Sequence, residues 1–154
     1  LESFQAGLSW STILRKREAF RAAFRGFEPR VVAAFEEHDV ERLLGDADIV
    51  RNRAKIAATI GNAAAFVETS SRFGSFDGYL GSIVERPPRR LPPTATSADV
   101  PATTAASDAL SRDLRTRGFR FVGSTIVYAF MQSVGLVDDH LPGCWRYQAG
   151  PTAD

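Results

Sequence analysis

Ser107-Asp-Ala-Leu-Ser-Arg-Asp-Leu-Arg-Thr-Arg-Gly118-Phe-Arg-Phe-Val-Gly123-Ser-Thr-Ile-Val-Tyr-Ala-Phe-Met-Gln-Ser-Val134 decides the fold. Leu110 and Leu114 stand four apart on one predicted helix, which Ser107 is placed to cap and Gly118 to end. Ile126, Val127, Phe130, Met131 and Val134 repeat at helical spacing on a second, stopped by Gly135. The unit therefore reads as two helices joined by a tight hairpin. Gly123 lets the backbone come close to a ligand, and the amides of Gly123, Ser124 and Thr125 at the second helix start are free to receive an anion. Arg115, Arg117 and Arg120 lie alongside in sequence. These are the parts of a clamp that holds a DNA phosphate without reading bases. The same glycines would equally serve an αα-hairpin that only packs tightly.

Upstream, the same spacing continues. Trp10, Ile13, Leu14, Phe20, Phe24 and Phe27 predict one helix, capped by Ser9 and closed by Pro29, with Arg15, Lys16, Arg17, Glu18, Arg21 and Arg25 outside. A short helix through Val31, Val32 and Phe35 follows, then one capped by Asp39 with Val40, Leu43 and Leu44. From Asp48 a longer helix places Ile49, Ile56, Ile60, Ala63 and Val67 on one stripe and ends before Ser70, Ser71 and Gly74. Phe76 to Val84 is another short helix. Five of the eight prolines fall within 87–105, which reads as an extended surface connection. Nothing alternates with period two over strand length. The predicted class is all-α: a compact helical domain over 1–147 with a helix-hairpin-helix unit, followed by a disordered tail at 148–154.

The 154 residues are 44% hydrophobic, and 19 basic against 18 acidic side chains leave a net charge of +1, so no overall polyanion-seeking field is implied. Only Lys16 and Lys55 are lysines, so 19 − 2 = 17 of the basic residues are arginines. One cysteine, Cys144, excludes an intrachain disulfide framework and fits a reducing compartment. No apolar run nears the roughly 18–20 residues of a membrane span. The chain opens at Leu1, without Met, on a dense motif, which leads us to expect a fragment lacking upstream chain.

Two further constellations carry chemistry. His140 and Cys144, four apart, pair imidazole with thiolate as zinc sites do, but four ligands are needed and the other histidine, His38, lies on a different element. On composition alone a capped surface histidine beside a small buried thiol is the better reading. The opening Leu1-Glu-Ser-Phe-Gln-Ala-Gly-Leu-Ser-Trp10 puts a carboxylate, a glutamine, a flexible turn and an indole within ten residues, enough for one wall of a pocket that accepts from a ring amine and stacks on a base. A helix, a turn and a core tryptophan is the plain alternative.

Taken together, Phe4-Gln-Ala-Gly-Leu-Ser-Trp10, Thr12-Ile-Leu, Lys16-Arg-Glu18, Asp39-Val-Glu-Arg-Leu-Leu44, Ile49-Val-Arg-Asn-Arg-Ala-Lys-Ile56, Gly118-Phe-Arg-Phe-Val-Gly123 and Asp139-His140 with Cys144 resemble, in order, the DNA-3-methyladenine glycosylase I family of the helix-hairpin-helix superfamily. The resemblance implies an all-α base-excision repair enzyme that hydrolyses the glycosidic bond of 3-methyladenine in alkylated double-stranded DNA, without lyase activity. It implies Glu2 as the catalytic, base-contacting carboxylate and Trp10 and Gln5 as further base contacts. Gly7 and Leu8 then approach the gap in the duplex, and Gly123, Ser124 and Thr125 bind DNA. His140 and Cys144 match half of the family's structural zinc site, whose other ligands precede this segment, so the resemblance implies an empty site here. Two departures stand out: Gly81 where the family commonly has Trp, and Asp138 where it usually has Asn. Asp138 also invites comparison with the aspartate by which other superfamily members stabilise the sugar cation. The implied setting is a monomer in the bacterial cytoplasm, at the nucleoid, with no membrane. Two rival readings are a non-catalytic helix-hairpin-helix DNA-binding module and a helical interaction protein.

Overall fold

The computed structural model describes residues 1–85 and 89–147; the tail predicted at 148–154 lies outside the described residues. The chain is helical, as the spacing predicts. A four-residue turn, α1 (Glu2–Gln5), is followed by α2 (Trp10–Arg15), α3 (Arg17–Ala23), α4 (Pro29–Ala33), α5 (Glu37–Gly45) and the long α6 (Arg53–Phe73). Then come α7 (Phe76–Gly81), β1 (Arg89–Arg90), α8 (Ala105–Thr116), α9 (Ser124–Ser133) and β2 (Val137–Asp138).

Several boundaries move, each for a local reason. The helix predicted over Trp10–Phe27 is broken: Ser9 does cap it, its Oγ accepting from the Thr12 amide, but the chain leaves helical geometry at Lys16. It then passes through a tight turn in which Arg25, Gly26 and Phe27 all have positive φ (52°, 70° and 60°), an uncommon and strained path for the two non-glycine residues. Pro29 opens α4 at its first turn rather than only closing what precedes it. Glu36, not Asp39, caps α5, and Thr104, not Ser107, caps α8. In both cases the residue expected as cap is the third helical residue, reaching back to the cap's own amide. The long helix starts at Arg53, with Asn52 accepting from the Lys55 amide. It runs through Ser70 and Ser71 to end at Gly74, whose φ of 77° is left-handed. The connection after 87 is not wholly superficial, because Leu91 is buried. It also carries the one deviation from all-α seen among the described residues, a two-residue parallel pairing of Arg89 with Val137 and Arg90 with Asp138.

Burial divides into two apolar clusters. Phe4, Ile13, Phe20, Phe24, Val32, Val40, Leu43, Ile49 and Ile56 form one, in which the Phe4 ring lies 4.5 Å from Phe20 and 5.8 Å from Phe24. Tyr79, Leu80, Val84, Leu110, Leu114, Phe119, Val122, Val127, Met131 and Leu136 form the other. Helix α6, of 21 residues and so about 31 Å long, belongs to both: Ile56 near its start packs in the first cluster and Ala65 in the second. No helix among the described residues is long and apolar enough to cross a membrane.

Candidate active site

Between the two clusters lies a cavity of about 720 Å³, inside the span of roughly 300–1,000 Å³ common to small-molecule pockets. Its walls come from α1, α4, α6, α7, the hairpin and α9, and include Phe27, Phe66, Phe76, Phe119 and Phe130 together with Val32, Leu80, Ile126 and Val127. Against this apolar lining stand few polar groups: Glu2, Ser3, Thr59, Asn62 and Asp77. Burial pushes the Glu2 carboxyl above its usual pKa.

A helix of four residues does not hold itself together, so the position of Glu2 depends on what fixes α1. Phe4, on the face opposite solvent, is buried among the phenylalanines of the first cluster. The carbonyls of Phe4 and Ala6 accept from the amino group of Lys55 at 2.9 and 2.6 Å. The turn that follows needs Gly7, at φ 75°, and is tied by the Gln5 side-chain amide donating to the Leu8 carbonyl and by the Leu8 amide donating back to Gln5. It presents Leu8, 38% exposed, to solvent.

Of the residues the sequence proposes for the base, Glu2 lines the cavity and Gln5 and Trp10 do not. Gln5 spends its side chain inside the turn, and Trp10, 43% exposed, stands at the start of α2 outside the lining. The phenylalanine walls went unforeseen. They come from segments up to about a hundred residues apart, each of which reads in sequence as ordinary core.

The hairpin takes the predicted form. Gly118 has φ 90°, Ser111 Oγ donates to the Val122 carbonyl, and α9 begins at Gly123 with no side-chain cap, leaving its first amides free of a capping group. Gly123 itself has φ −61°, and a β-carbon built on it would meet only Arg115 Nη2, at 3.8 Å. Neither backbone nor packing calls for glycine there. At the tip, Phe121 holds a left-handed φ of 55°. Thr125 is exposed, while Ser124 Oγ is held by Asp108 and Ser107, so its amide rather than its hydroxyl remains to meet an anion. Of the arginines read as lying alongside, Arg115 and Arg120 are exposed, but Arg117 turns away: it pairs with Asp113 and lies 4.8 Å from both the Phe73 and Tyr79 rings. Asn62 joins the hairpin to α6 by a two-way contact, donating to the Arg120 carbonyl at 3.0 Å and accepting from its amide at 2.8 Å.

Near the end of the described chain, Cys144 Sγ and His140 Nδ1 are 3.6 Å apart across a turn that Gly143 closes at φ 90°. Asp139 accepts from Tyr128 and Gln132 and so ties this turn to α9. Asp138 pairs with Arg90 and does not line the cavity, which argues against the sugar-stabilising comparison. Among the described residues no three histidine, cysteine or acidic side chains gather as a metal site.

These features sit within a sequence that matches, over residues 1–147, the family described as "Methyladenine glycosylase". The chain is 51% identical to "DNA-3-methyladenine glycosylase 1" of Escherichia coli (strain K12) over 147 residues, 96% of this chain and 78% of that protein. It is 42% identical to "DNA-3-methyladenine glycosylase" of Haemophilus influenzae, over 94% of this chain and 77% of that one. A solved structure of 3-methyladenine DNA glycosylase I from Staphylococcus aureus, described as the basis of 3-methyladenine recognition, superposes with a TM-score of 0.90 at 36% identity, over 97% of this chain and 79% of that one. A phenylalanine-walled cavity with the half-buried Glu2 carboxylate in its wall, a hairpin whose glycine the fold does not require, and a match along nearly the whole described sequence place this chain in the methyladenine glycosylase family.

Proposed function

We propose that this chain excises 3-methyladenine from alkylated double-stranded DNA by hydrolysing its N-glycosidic bond, the opening step of base-excision repair. The observation that carries the reading is the half-buried Glu2 carboxylate set in the wall of a largely apolar, phenylalanine-lined cavity. Methylation at N3 makes the purine cationic, so the base is already a good leaving group and recognition matters more than acid catalysis. Turning the nucleotide out of the stack costs a few kcal/mol, least for a damaged base. In the cavity, ring faces and the Glu2 carboxylate both favour a cation, and neutral adenine gains only the stacking. Glu2 acts in its ionised form. Water adds to the sugar carbon as the base departs with the bonding electron pair.

Other assignments follow from this reading. Gly7 and Leu8 fill the gap the base leaves, and the amides of Gly123, Ser124 and Thr125 hold a backbone phosphate. Trp10, outside the cavity lining and with much of its indole exposed, is left to stack on a base from solvent; Gln5 serves by holding the turn. Neither lysine lines the cavity, which supports a glycosylase that cleaves no strand. A cavity walled by this chain's own elements suits a monomer acting on the bacterial nucleoid.

Zinc is a separate question. Tetrahedral bonds of about 2.3 Å to sulfur and 2.0 Å to nitrogen put the two donors roughly 3.5 Å apart, so His140 and Cys144 fit one edge of such a site. Two donors do not make a structural centre, and no catalytic step runs through this turn. If zinc is held here, its part is to pin the turn beside Asp139, and Cys144→Ser in the full-length protein should lower the melting temperature while leaving the rate per folded molecule unchanged.

The test is release of free 3-methyladenine from methylated duplex. Tight duplex binding without release would make this a non-catalytic helix-hairpin-helix module. Absence of any salt-dependent duplex binding would make it an interaction protein.

A further inference from the structure

Lys55 is only 8% exposed, yet among the described residues it forms no ion pair. Burial pulls its pKa below the ordinary lysine value. A methionine would fill the same space without a buried charge to desolvate, so packing alone gives no reason for an ammonium. What the ammonium does here is donate to the carbonyls of Phe4 and Ala6 at the end of α1. Those carbonyls belong to a helix end with no further turn to satisfy them, where a cation is favoured. Seven residues further along α6, on the same face and about 10.5 Å away along its axis, Asn62 makes the two-way contact with the Arg120 backbone. One face of one helix thus grips, through side chain to backbone hydrogen bonds, both the segment carrying Glu2 and the hairpin. The partners are 51 and 58 residues distant in sequence, and Thr59, between the two grips, lines the cavity.

We infer that Lys55 and Asn62 are positioning residues for excision, α6 acting as a rigid spacer that fixes the distance between the base-contacting carboxylate and the phosphate-holding hairpin. Lys55 lies outside the cavity lining, and the side-chain amide of Asn62, which borders the cavity, is taken up by the Arg120 backbone. The inference rests on the glycosylase reading for its consequence, but not for its geometry.

The experiment uses the full-length protein and four measurements: melting temperature, duplex affinity, single-turnover release of 3-methyladenine at saturating enzyme, and amide hydrogen exchange. Lys55→Met is expected to cut the single-turnover rate at saturating enzyme by about tenfold or more, the scale on which sub-ångström to 1 Å misplacement acts, and to weaken duplex binding by less than that. Exchange should quicken at residues 4–8 while α8 and α9 stay protected. Lys55→Arg, which still donates to both carbonyls, should recover a large part of the rate. Asn62→Ala should show the opposite division, duplex binding weakened more than the rate at saturation, with faster exchange at 119–122. The inference is overturned if the rate falls only in proportion to the fraction folded, if Lys55→Met and Asn62→Ala show the same division between binding and rate, or if exchange at the two grips does not change. Should Lys55→Met fail to fold, Lys55→Arg and Asn62→Ala still decide it. A wild-type protein that releases no base would sink the glycosylase reading instead, and the exchange measurements would still judge the spacer.

Discussion

Replacing Glu2 by Gln keeps the shape of the side chain and one acceptor but removes the charge. Glu2 stands half-buried against apolar walls, so its field is neither that of bulk water nor of a dry interior. At an effective dielectric of about 20 a charge pair 4 Å apart is worth about 4 kcal/mol, and part of this is lost because the carboxylate has already given up hydration, as its raised pKa shows. A charged hydrogen bond kept after desolvation nets about 1.5–3 kcal/mol, which as transition-state stabilisation is roughly a 10- to 150-fold fall in kcat/KM for 3-methyladenine release. The assay is free base released from methylated duplex, followed across pH. Wild type should lose activity as pH falls through the raised pKa of Glu2, at a higher pH than an ordinary glutamate would set, and the Gln variant should lack that limb.

Stability supplies the counter-test. A carboxyl whose folded pKa is raised binds its proton more tightly when folded, so its ionised form opposes folding above that pKa. The Gln variant should therefore be at least as stable as wild type at neutral pH, with the difference shrinking as pH falls toward the ordinary carboxylate range. A variant that excises within twofold of wild type, or whose lost activity merely tracks lost stability, would refute the role given to Glu2.

Gly123→Ala should leave stability within about 1 kcal/mol of wild type, since φ is ordinary and the nearest atom to the new methyl is 3.8 Å away. Duplex affinity, read by titration at fixed salt, should nonetheless fall by about tenfold, some 1.4 kcal/mol; unchanged affinity would remove the hairpin from the DNA interface. Asp113→Ala strands the hydroxyl of the fully buried Tyr79 and the Arg117 guanidinium, and should cost about 2–3 kcal/mol in denaturant unfolding. Arg117 holds the Asp113 carboxyl below its usual pKa, so this contribution is present above the ordinary carboxylate pKa and disappears as pH drops through the lowered value, where variant and wild type should converge. Ala63→Leu adds apolar volume to the cavity wall; its burial is worth up to about 2 kcal/mol, so calorimetry should find the fold no less stable while excision is lost.

How far the sequence is legible depends on how local the cause is. Helix class, the Ser9 cap, the Gly118 hairpin and the free start of α9 follow from neighbours within a turn or two, and all are found. Asp39 and Ser107 are mistaken for caps because a capping box is reciprocal: residues at both its ends carry side chains that bond backbone amides, and composition does not say which end is which. Lys55 and Asn62 leave no mark at all, since their partners are backbone atoms 51 and 58 residues away, and every residue owns a carbonyl. Arg117 is legible as a cation but not as one already engaged, because the Asp113, Tyr79 and Phe73 groups around it converge from three elements.

The cavity itself has a cause that can be read in α6. Its middle runs Ala57-Ala58-Thr-Ile-Gly61-Asn-Ala63-Ala64-Ala65, small residues where a helix spanning two cores would ordinarily carry Leu or Ile toward both. Ile56 closes the first cluster and Phe66 faces the cavity beside Phe76, 4.5 Å between ring centroids; between them the helix offers little side-chain volume. The two cores cannot meet across that stretch, because interiors close only when facing side chains interdigitate. What remains is a space walled in large part by ring faces. On the glycosylase reading, a flipped purine supplies the flat volume that the chain withholds, and Glu2, brought in from α1, supplies a half-buried carboxylate. On that reading the small residues of α6, Ala63 among them in the cavity wall, act on specificity through the space they leave, and enlarging them would close the gap between the cores.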